Sequence, residues 1–185
     1  MDTSIAGLIR AADTGDRAAA DHLFTAMYAD LHRLAERQLA RDSGQLTLGA
    51  TTLLHEAYLS MAAREGAAYP DRAHFMAYAS RAMRGLVIDY VRHRQAQKRG
   101  GEFHLTGIDT ATPVATADGL DHLEALGEAL DELAELDRPL AELVDLHFFC
   151  GFGFAEIASM RGVSERTVQR DWQKARLLLR RTLRD

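Results

Sequence analysis

"FAEIASMRGVSERTVQRDWQKARLLLRRTL", residues 154–183, has the pattern of a helix-turn-helix. Ala158 is small enough to let a second helix cross closely, and Gly162 can take the positive-φ turn between the two helices. Val168 then seals the core between them. Ser164 is a natural N-cap for the second helix, with Thr167 one turn further on. The stretch therefore predicts a short helix crossed closely by a second helix that begins after Ser164.

The second of these helices carries side chains suited to contacts with duplex DNA. Arg and Gln make bidentate contacts with guanine and adenine, respectively. When such a helix docks in the major groove, residues near its N-terminus reach base edges and later cations meet phosphates. The polar residues expected on the exposed face are Glu165, Arg166, Gln169, Arg170, Gln173, Lys174 and Arg176. A basic helical hairpin without a DNA partner is the alternative, and Trp172 is expected to pack in the core.

The composition of the whole chain is that of a soluble globular protein. Of its 185 residues, 47% are apolar and 26% are charged. No apolar run approaches the ~18 residues that a membrane span requires, and the first residues lack the order of a signal peptide. A single cysteine permits no internal disulfide, so we expect a cytoplasmic protein with no membrane contact.

The net charge of −5 conceals a strong segregation of charge along the chain. Residues 81–101 carry six Lys/Arg and one acid, and residues 161–184 carry eight Lys/Arg and two acids. Residues 117–145 carry ten acids and a single Arg. Two basic blocks suggest two contacts with a polyanion, but on charge alone solvated helix faces are the favoured interpretation. The acidic stretch is expected to be a solvated face, with shielding of the basic surfaces as the alternative.

Helical periodicity dominates the rest of the sequence. Apolar residues recur at three- and four-residue spacing both before and after residues 100–119. The stretch at 100–119 itself is rich in Gly, Thr, Ala and Asp and has no sustained period. Residues 13–16, "DTGD", predict a turn followed by a helix cap. We therefore predict an all-α fold with two small helical domains, 1–99 and 120–185, joined by a flexible linker at 100–119.

Both halves of the chain resemble one family, the extracytoplasmic-function (ECF) sigma factors of RNA polymerase. The family shows an "EIA…LGVSxxTVxxxxxxAR" run in its promoter-reading fourth domain. Ten residues here match that run: Glu156, Ile157, Ala158, Gly162, Val163, Ser164, Thr167, Val168, Ala175 and Arg176. The stretch "AHFMAYASRAMRGLVIDYVRHRQAQKRGG", residues 73–101, resembles the helix of the second domain that handles the melted minus-ten element. The resemblance implies an alternative sigma factor that binds core RNA polymerase and directs promoter-specific initiation.

The resemblance also implies which residues contact promoter DNA. For the minus-thirty-five duplex these are Ser164, Arg166, Thr167, Gln169, Arg170, Lys174 and Arg176. For the melted minus-ten strand they are Arg64, Tyr69, Arg72, His74, Arg81, Arg84, Arg92, Arg94 and Lys98. A basic helix with interleaved aromatic rings suits an unstacked strand, because cations follow the phosphates while rings hold bases. Tyr78 and Phe75 are expected to be core residues.

The sequence departs from the family where its clamp-binding helix begins. In typical members that helix starts with an acidic motif such as "DAEDLVQE", and alignment on Glu56 places Gly49, Thr51 and Thr52 at its three acidic positions. Members with threonines there are linked to serine/threonine kinase control. Phosphorylation would add about −1.5 to −2 charge at a helix N-terminus, where negative charge is favourable. The residues expected to bind the polymerase are Thr51, Thr52, His55, Glu56, Tyr58 and Leu59, and the two threonines are the expected phosphorylation sites.

The sequence contains no motif typical of a metal-binding protein or an enzyme. Eight histidines form no metal-binding motif, and no phosphate-binding loop or nucleophile elbow is present. We therefore expect no metal, no cofactor, no small-molecule substrate and no enzymatic activity. The principal alternative is a helix-turn-helix regulator that binds duplex DNA as a dimer. Binding to core RNA polymerase would distinguish the two, since a simple repressor need not bind it.

Overall fold

The structure, a computed structural model, describes residues 4–41, 48–63, 69–100 and 117–183. Every regular element in these residues is helical, in agreement with the predicted all-α class. The elements are α1 (Ile5–Asp13), α2 (Arg17–Ala26), α3 (Tyr28–Arg41), α4 (Ala50–Ala62), α5 (Arg72–Gly100), α6 (Ala117–Leu136), α7 (Arg138–Val144), a π-helical turn (Asp145–Phe149), α8 (Phe154–Arg161) and α9 (Glu165–Thr182). Most of the predicted linker, residues 101–116, lies outside the described residues.

The first helices begin where short polar side chains can cap them. The Oγ of Ser4 accepts a hydrogen bond from the backbone N–H of Gly7 at 3.1 Å, and an Oδ of Asp16 accepts one from Ala19 at 3.1 Å. Between α1 and α2 the backbone of Gly15 takes a φ of 89°. The predicted turn and cap at residues 13–16 are thus confirmed, with each cap satisfying an N–H that has no partner inside its helix.

The long helix α5 is the element against which the N-terminal helices pack. It contacts α1, α3 and α4, and α4 turns its apolar stripe of Leu53, Leu54 and Ala57 into the shared core. Met76 and Met83 of α5 are almost fully buried there. The apolar residues at three- and four-residue spacing thus lie on one face of each helix, and that face is in the core, as helical periodicity predicts.

The helix α7 passes directly into the π-helical turn. Asp137 caps α7 by accepting a hydrogen bond from Leu140 N–H at 3.3 Å, and a proline occupies its first turn. At the other end the N–H of Cys150 donates to the carbonyl of Asp145, five residues earlier, at 2.9 Å. Such π-turns are rare and often occur at functional sites. This one buries the Asp145 side chain together with Leu146 and Phe149.

The C-terminal helices pack against α5 as well as against each other. Helices α6, α7 and α8 and the π-turn all contact α5, and the buried side chains of both predicted domains form one continuous cluster. Two units that fold separately can also dock in this way, so the division at residues 100–119 stays a prediction. The continuous core nevertheless means that the two halves share an interface in this structure.

The residues that follow the π-turn form hydrogen bonds with the N-terminal half of the chain. Arg37 donates from Nη1 to the carbonyl oxygen of Cys150 at 2.6 Å, and the Cys150 thiol donates to the carbonyl of Met76 at 3.8 Å. Gly151 has a φ of 77°, and a Cβ there would lie 1.2 Å from Arg37 Nη1. Glycine at this position therefore serves both the left-handed backbone and the close approach of the guanidinium.

Candidate nucleic-acid interface

The turn between α8 and α9 is built by local hydrogen bonding. Gly162 ends α8 in the left-handed conformation, with φ 65° and ψ 32°, which confirms the predicted positive-φ turn. The Oγ of Ser164 accepts from Thr167 N–H at 3.2 Å, and this confirms the predicted N-cap of α9. Ala158 and Val168 are buried where the two helices meet, as their spacing predicts. These contacts fix the orientation of the first turn of α9.

The polar face of α9 is exposed to solvent. Side chains on this face are Glu165, Arg166, Gln169, Arg170, Gln173, Lys174 and Arg176. Several of them have partners within the chain: Gln169 donates to Glu165 at 3.1 Å, Lys174 Nζ lies 2.8 Å from Asp137 Oδ2, and Arg170 Nη2 lies 3.5 Å from Asp171 Oδ1. The hydrogen bond from Lys174 holds the pKa of the Asp137 carboxyl below its usual value. Trp172 packs edge-on against His147 with ring centroids 4.7 Å apart, so it is a packing residue, as predicted.

Three cations predicted to bind the melted strand pair with acids of the C-terminal half. Arg81 Nη2 lies 2.8 Å from Asp131 Oδ1, and Arg92 Nε lies 2.6 Å from Glu124 Oε1. Arg84 forms an ion pair with Asp145 in which both side chains are almost fully buried. A phosphate contact by Arg84 therefore requires that the π-turn first move away from α5.

The Arg84–Asp145 pair lies in a small polar network within the interface. Ser80 Oγ donates to Asp145 Oδ1 at 3.2 Å, and Gln38 of α3 contacts the same hydroxyl at 3.3 Å. Burial raises the pKa of the Asp145 carboxyl, and the Arg84 guanidinium opposes that rise. Buried charges in proteins persist when they are paired and hydrogen-bonded in this manner.

Three further residues predicted for the minus-ten strand, Tyr69, Arg72 and His74, lie around the start of α5. Tyr69 packs against Phe75 and Tyr78, with ring centroids 5.4 Å and 5.1 Å away. His74 places Nε2 3.4 Å from Glu142 Oε2, and Arg72 Nη2 lies 2.6 Å from Asp30 Oδ2. Arg64 and the side chains of Arg94 and Lys98 lie outside the part of the chain that is described.

The helix α4 begins as the sequence predicts. Gly49 is its N-cap and provides no side-chain hydrogen bond, and the first turn contains no acid. Thr51 and Thr52 are exposed there, and His55, Glu56 and Leu59 are exposed further along α4. Tyr58 is half-buried against Phe24, 4.6 Å between ring centroids, and its hydrogen bond to Asp21 raises the pKa of the phenol. Both threonine hydroxyls are thus accessible at the positive end of a helix dipole.

The acidic partners of the α5 cations were not identified from the sequence. The expectation that residues 117–145 form a solvated face is wrong for Asp145, which is buried, and incomplete for Glu124, Asp131 and Glu142, which pair with α5. The concentration of ten acids in this stretch was the available signal. It could not show which acid meets which cation, since that depends on how the helices pack.

Neither a metal centre nor a membrane-spanning helix is found in the described ranges. No group of three or more His, Cys, Asp or Glu side chains there is arranged to hold a metal ion. None of the described helices combines the length and the apolar character needed to cross a membrane.

Comparison with known proteins gives one match. A family model described as "ECF sigma factor" matches residues 2–185. No curated protein and no solved structure matches the chain. The matched range includes α4, α5 and α9, the three elements that carry most of the sequence-predicted site residues.

Proposed function

The chain belongs to the ECF sigma factor family, and from that membership we propose a role for each of three helices. Helix α9 reads the minus-thirty-five duplex, α5 binds the melted minus-ten strand, and α4 docks on core RNA polymerase. An ECF sigma factor is an alternative sigma factor and a DNA-binding regulator of transcription initiation. Its family implies binding to core RNA polymerase and to promoter DNA. The match supports this interpretation over a dimeric duplex-binding regulator.

The observation that carries the proposal is the exposed cationic face of α9 after the Gly162 turn. A helix whose first turn is fixed by a cap can present Arg166, Gln169 and Arg170 together to the major groove. Arg and Gln can each contact a base edge with two hydrogen bonds, whereas later cations suit phosphates. In this proposal α8 and α9 form a helix-turn-helix within a C-terminal domain of residues 120–185.

The assignment of α5 to the melted strand rests on its charge and on the aromatic cluster at its start. Arg81, Arg84 and Arg92 recur along one helix, and Tyr69 and Tyr78 lie close together near its N-terminus. Cations that follow phosphates and rings that stack with bases are the common means of holding single strands. In this proposal α5 belongs to an N-terminal domain of residues 1–99.

The assignment of α4 to the polymerase includes control by a serine/threonine kinase. The two exposed hydroxyls of Thr51 and Thr52 stand where related chains have acids, at a helix N-terminus without any negative charge. A phosphate there is favoured by the helix dipole and by cations on a partner surface. We infer that the unmodified chain docks weakly and that phosphorylation strengthens docking.

Reconstituted transcription tests the proposal as a whole. Core RNA polymerase is incubated with a promoter library and with the full chain, either unmodified or phosphorylated, and the transcript starts are sequenced. The expected result is a defined subset of starts that depends on the chain and increases with phosphorylation. Failure of both forms to bind core polymerase, together with the absence of chain-dependent starts, would contradict it.

Substitutions on α9 separate base reading from charge. Arg166→Ala or Arg170→Ala is expected to cost about 1–3 kcal/mol of binding free energy at the preferred promoter and to relax specificity. Arg176→Ala should weaken binding to all sequences alike and reduce its salt dependence. Lys174→Ala should act in the same way with a smaller effect, because Lys174 already pairs with Asp137. Titration of labelled duplexes at several salt concentrations measures each case, and equal uniform losses from all four variants would refute the assigned roles.

A further inference from the structure

The acidic side of α6 faces the cations of α5 in regular register. Glu124 and Asp131 are seven residues apart, two helical turns, and their partners Arg92 and Arg81 are eleven residues apart, three turns. The later residue on α6 pairs with the earlier one on α5, as antiparallel helices require. Both pairs therefore join one face of α6 to one face of α5.

The same contact continues beyond α6. Glu142 of α7 approaches His74 at 3.4 Å, and Asp145 of the π-turn binds Arg84. Four residues of α5 thus face carboxylates of the C-terminal half. They are His74, Arg81, Arg84 and Arg92, all predicted to meet the melted strand. Carboxylates and phosphates compete for the same guanidinium hydrogen bonds.

A glycine in α6 permits the close approach of these helices. Gly127 is buried in the middle of α6, and a Cβ there would lie 3.2 Å from Cδ1 of Ile88 on α5. Glycine inside a helix is less favourable than alanine, so its presence calls for a packing reason. Contact with Ile88 supplies that reason, and it lies between the Arg81–Asp131 and Arg92–Glu124 pairs along the chain.

Ion pairs join α5 to α6 and α7, but a cavity remains between these helices. A cavity of about 270 Å³ lies between α5 and α6–α7, lined by residues that include Tyr78, Arg81, Asp131 and Glu142. The side chains of Arg81 and Arg92 are 54% and 52% exposed, so their ion pairs can exchange with solvent ions or with phosphates. Such an interface is suited to opening.

We propose that the acidic face of α6, α7 and the π-turn occupies the nucleic-acid face of α5 in the free protein, so that single-stranded DNA and the C-terminal half compete for the same cations. This inference rests on the proposed function of α5. In the free chain the α5 face is therefore closed, and engagement of promoter DNA requires α6 and the π-turn to leave it.

A reversible cross-link between α5 and α6 tests the proposal directly. In the full-length variant Ile88→Cys with Gly127→Cys, removal of the Ile88 side chain makes room for the new Cβ at position 127. The two thiols then lie on facing sides of the contact, where a disulfide forms only while α5 and α6 stay together. Mild oxidation of the free protein is expected to form this bond in most molecules. The single variants Ile88→Cys and Gly127→Cys, which retain Cys150, control for other disulfides.

Binding of labelled, mixed-sequence single-stranded DNA is then compared in the oxidised and reduced forms. The oxidised form is expected to lose binding and to regain it on reduction. Failure of the cross-link to form would overturn the closed contact, and equal DNA binding by both forms would overturn the competition. If reduced protein with core RNA polymerase also fails to bind the strand, the function proposed for α5 is wrong.

A charge variant tests the competition without a cross-link. Glu124→Gln with Asp131→Asn removes the two α6 carboxylates that pair with Arg92 and Arg81. It is expected to raise the affinity for the same DNA by about two- to thirtyfold. Glu132→Gln with Glu135→Gln changes the net charge equally at exposed positions of α6 and is the matched control. An equal gain from both variants would show a general charge effect and would overturn the proposal.

Discussion

Phosphorylation of Thr51 is expected to raise the affinity of the protein for core RNA polymerase by about ten- to several hundred-fold. The unmodified first turn of α4 offers only hydroxyls, whose hydrogen bonds contribute about 0.5–1.5 kcal/mol net. A phosphate can form about one to three charge-assisted hydrogen bonds, each roughly twice as strong as a neutral one. The position of Thr51, exposed at a helix N-terminus without an acid, places that charge where the dipole favours it.

The response should disappear in Thr51→Ala and persist in Ser60→Ala, which removes an exposed hydroxyl near the other end of α4. Thr51→Glu should reproduce it in part, since a carboxylate has one charge and two oxygens. Thr52→Ala determines whether the second hydroxyl contributes. Affinity is measured by titration of labelled protein with core polymerase at one moderate salt concentration. Equal affinity of modified and unmodified protein would leave the threonines as helix-start residues only.

Replacement of Asp145 by alanine is expected to separate α5 from the π-turn while the helices remain folded. The change leaves the Arg84 guanidinium buried without its partner, at a cost of about 3–5 kcal/mol. Opening of the interface returns Arg84 to water and removes that cost. Small-angle scattering should therefore show a larger radius of gyration, and far-ultraviolet circular dichroism should show unchanged helix content.

The matched control replaces both members of the pair. Arg84→Met with Asp145→Leu leaves no buried charge and should keep the closed arrangement, because apolar replacement of a buried ion pair is often neutral or stabilising. A radius of gyration that stays at the wild-type value in Asp145→Ala, with no loss of stability in urea, would show that the pair does not hold the interface. Loss of helix content in both variants would assign the pair to the folding of α5 itself.

The parts of the molecule that could be predicted are those fixed by local chemistry. The Gly162 turn, the Ser164 cap and the start of α4 at Gly49 all depend on residues within one helical turn of each other. Helical periodicity likewise predicted one buried face on each helix, and Leu53 and Leu54 lie on the buried face of α4. Such features are encoded in adjacent residues, and so the sequence alone suffices to predict them.

The features that could not be predicted depend on packing between distant helices. The burial of Arg84 follows from the position of Asp145, sixty-one residues later, and that carboxyl points inward because the chain takes a π-turn there. Nothing in the local sequence indicates the extra residue of such a turn. For the same reason, the packing of Gly127 against Ile88 could not be predicted from the sequence. The counts of charged residues indicated that the acidic stretch 117–145 could attract the basic stretch 81–101. They did not indicate which acid would pair with which cation.

The reactivity of the Cys150 thiol reports whether the contact between the two halves of the chain is closed or open. It is the only cysteine, and it lies against Met76 of α5 with its pKa raised by burial, so thiolate is scarce in the closed form. Once the halves separate, the thiol regains ordinary acidity and reacts. In excess reagent, labelling of Cys150 is therefore expected to speed up when the interface opens. If promoter DNA or core polymerase opens this contact as proposed, its addition should accelerate labelling of the native chain, which carries no dye and no substitution.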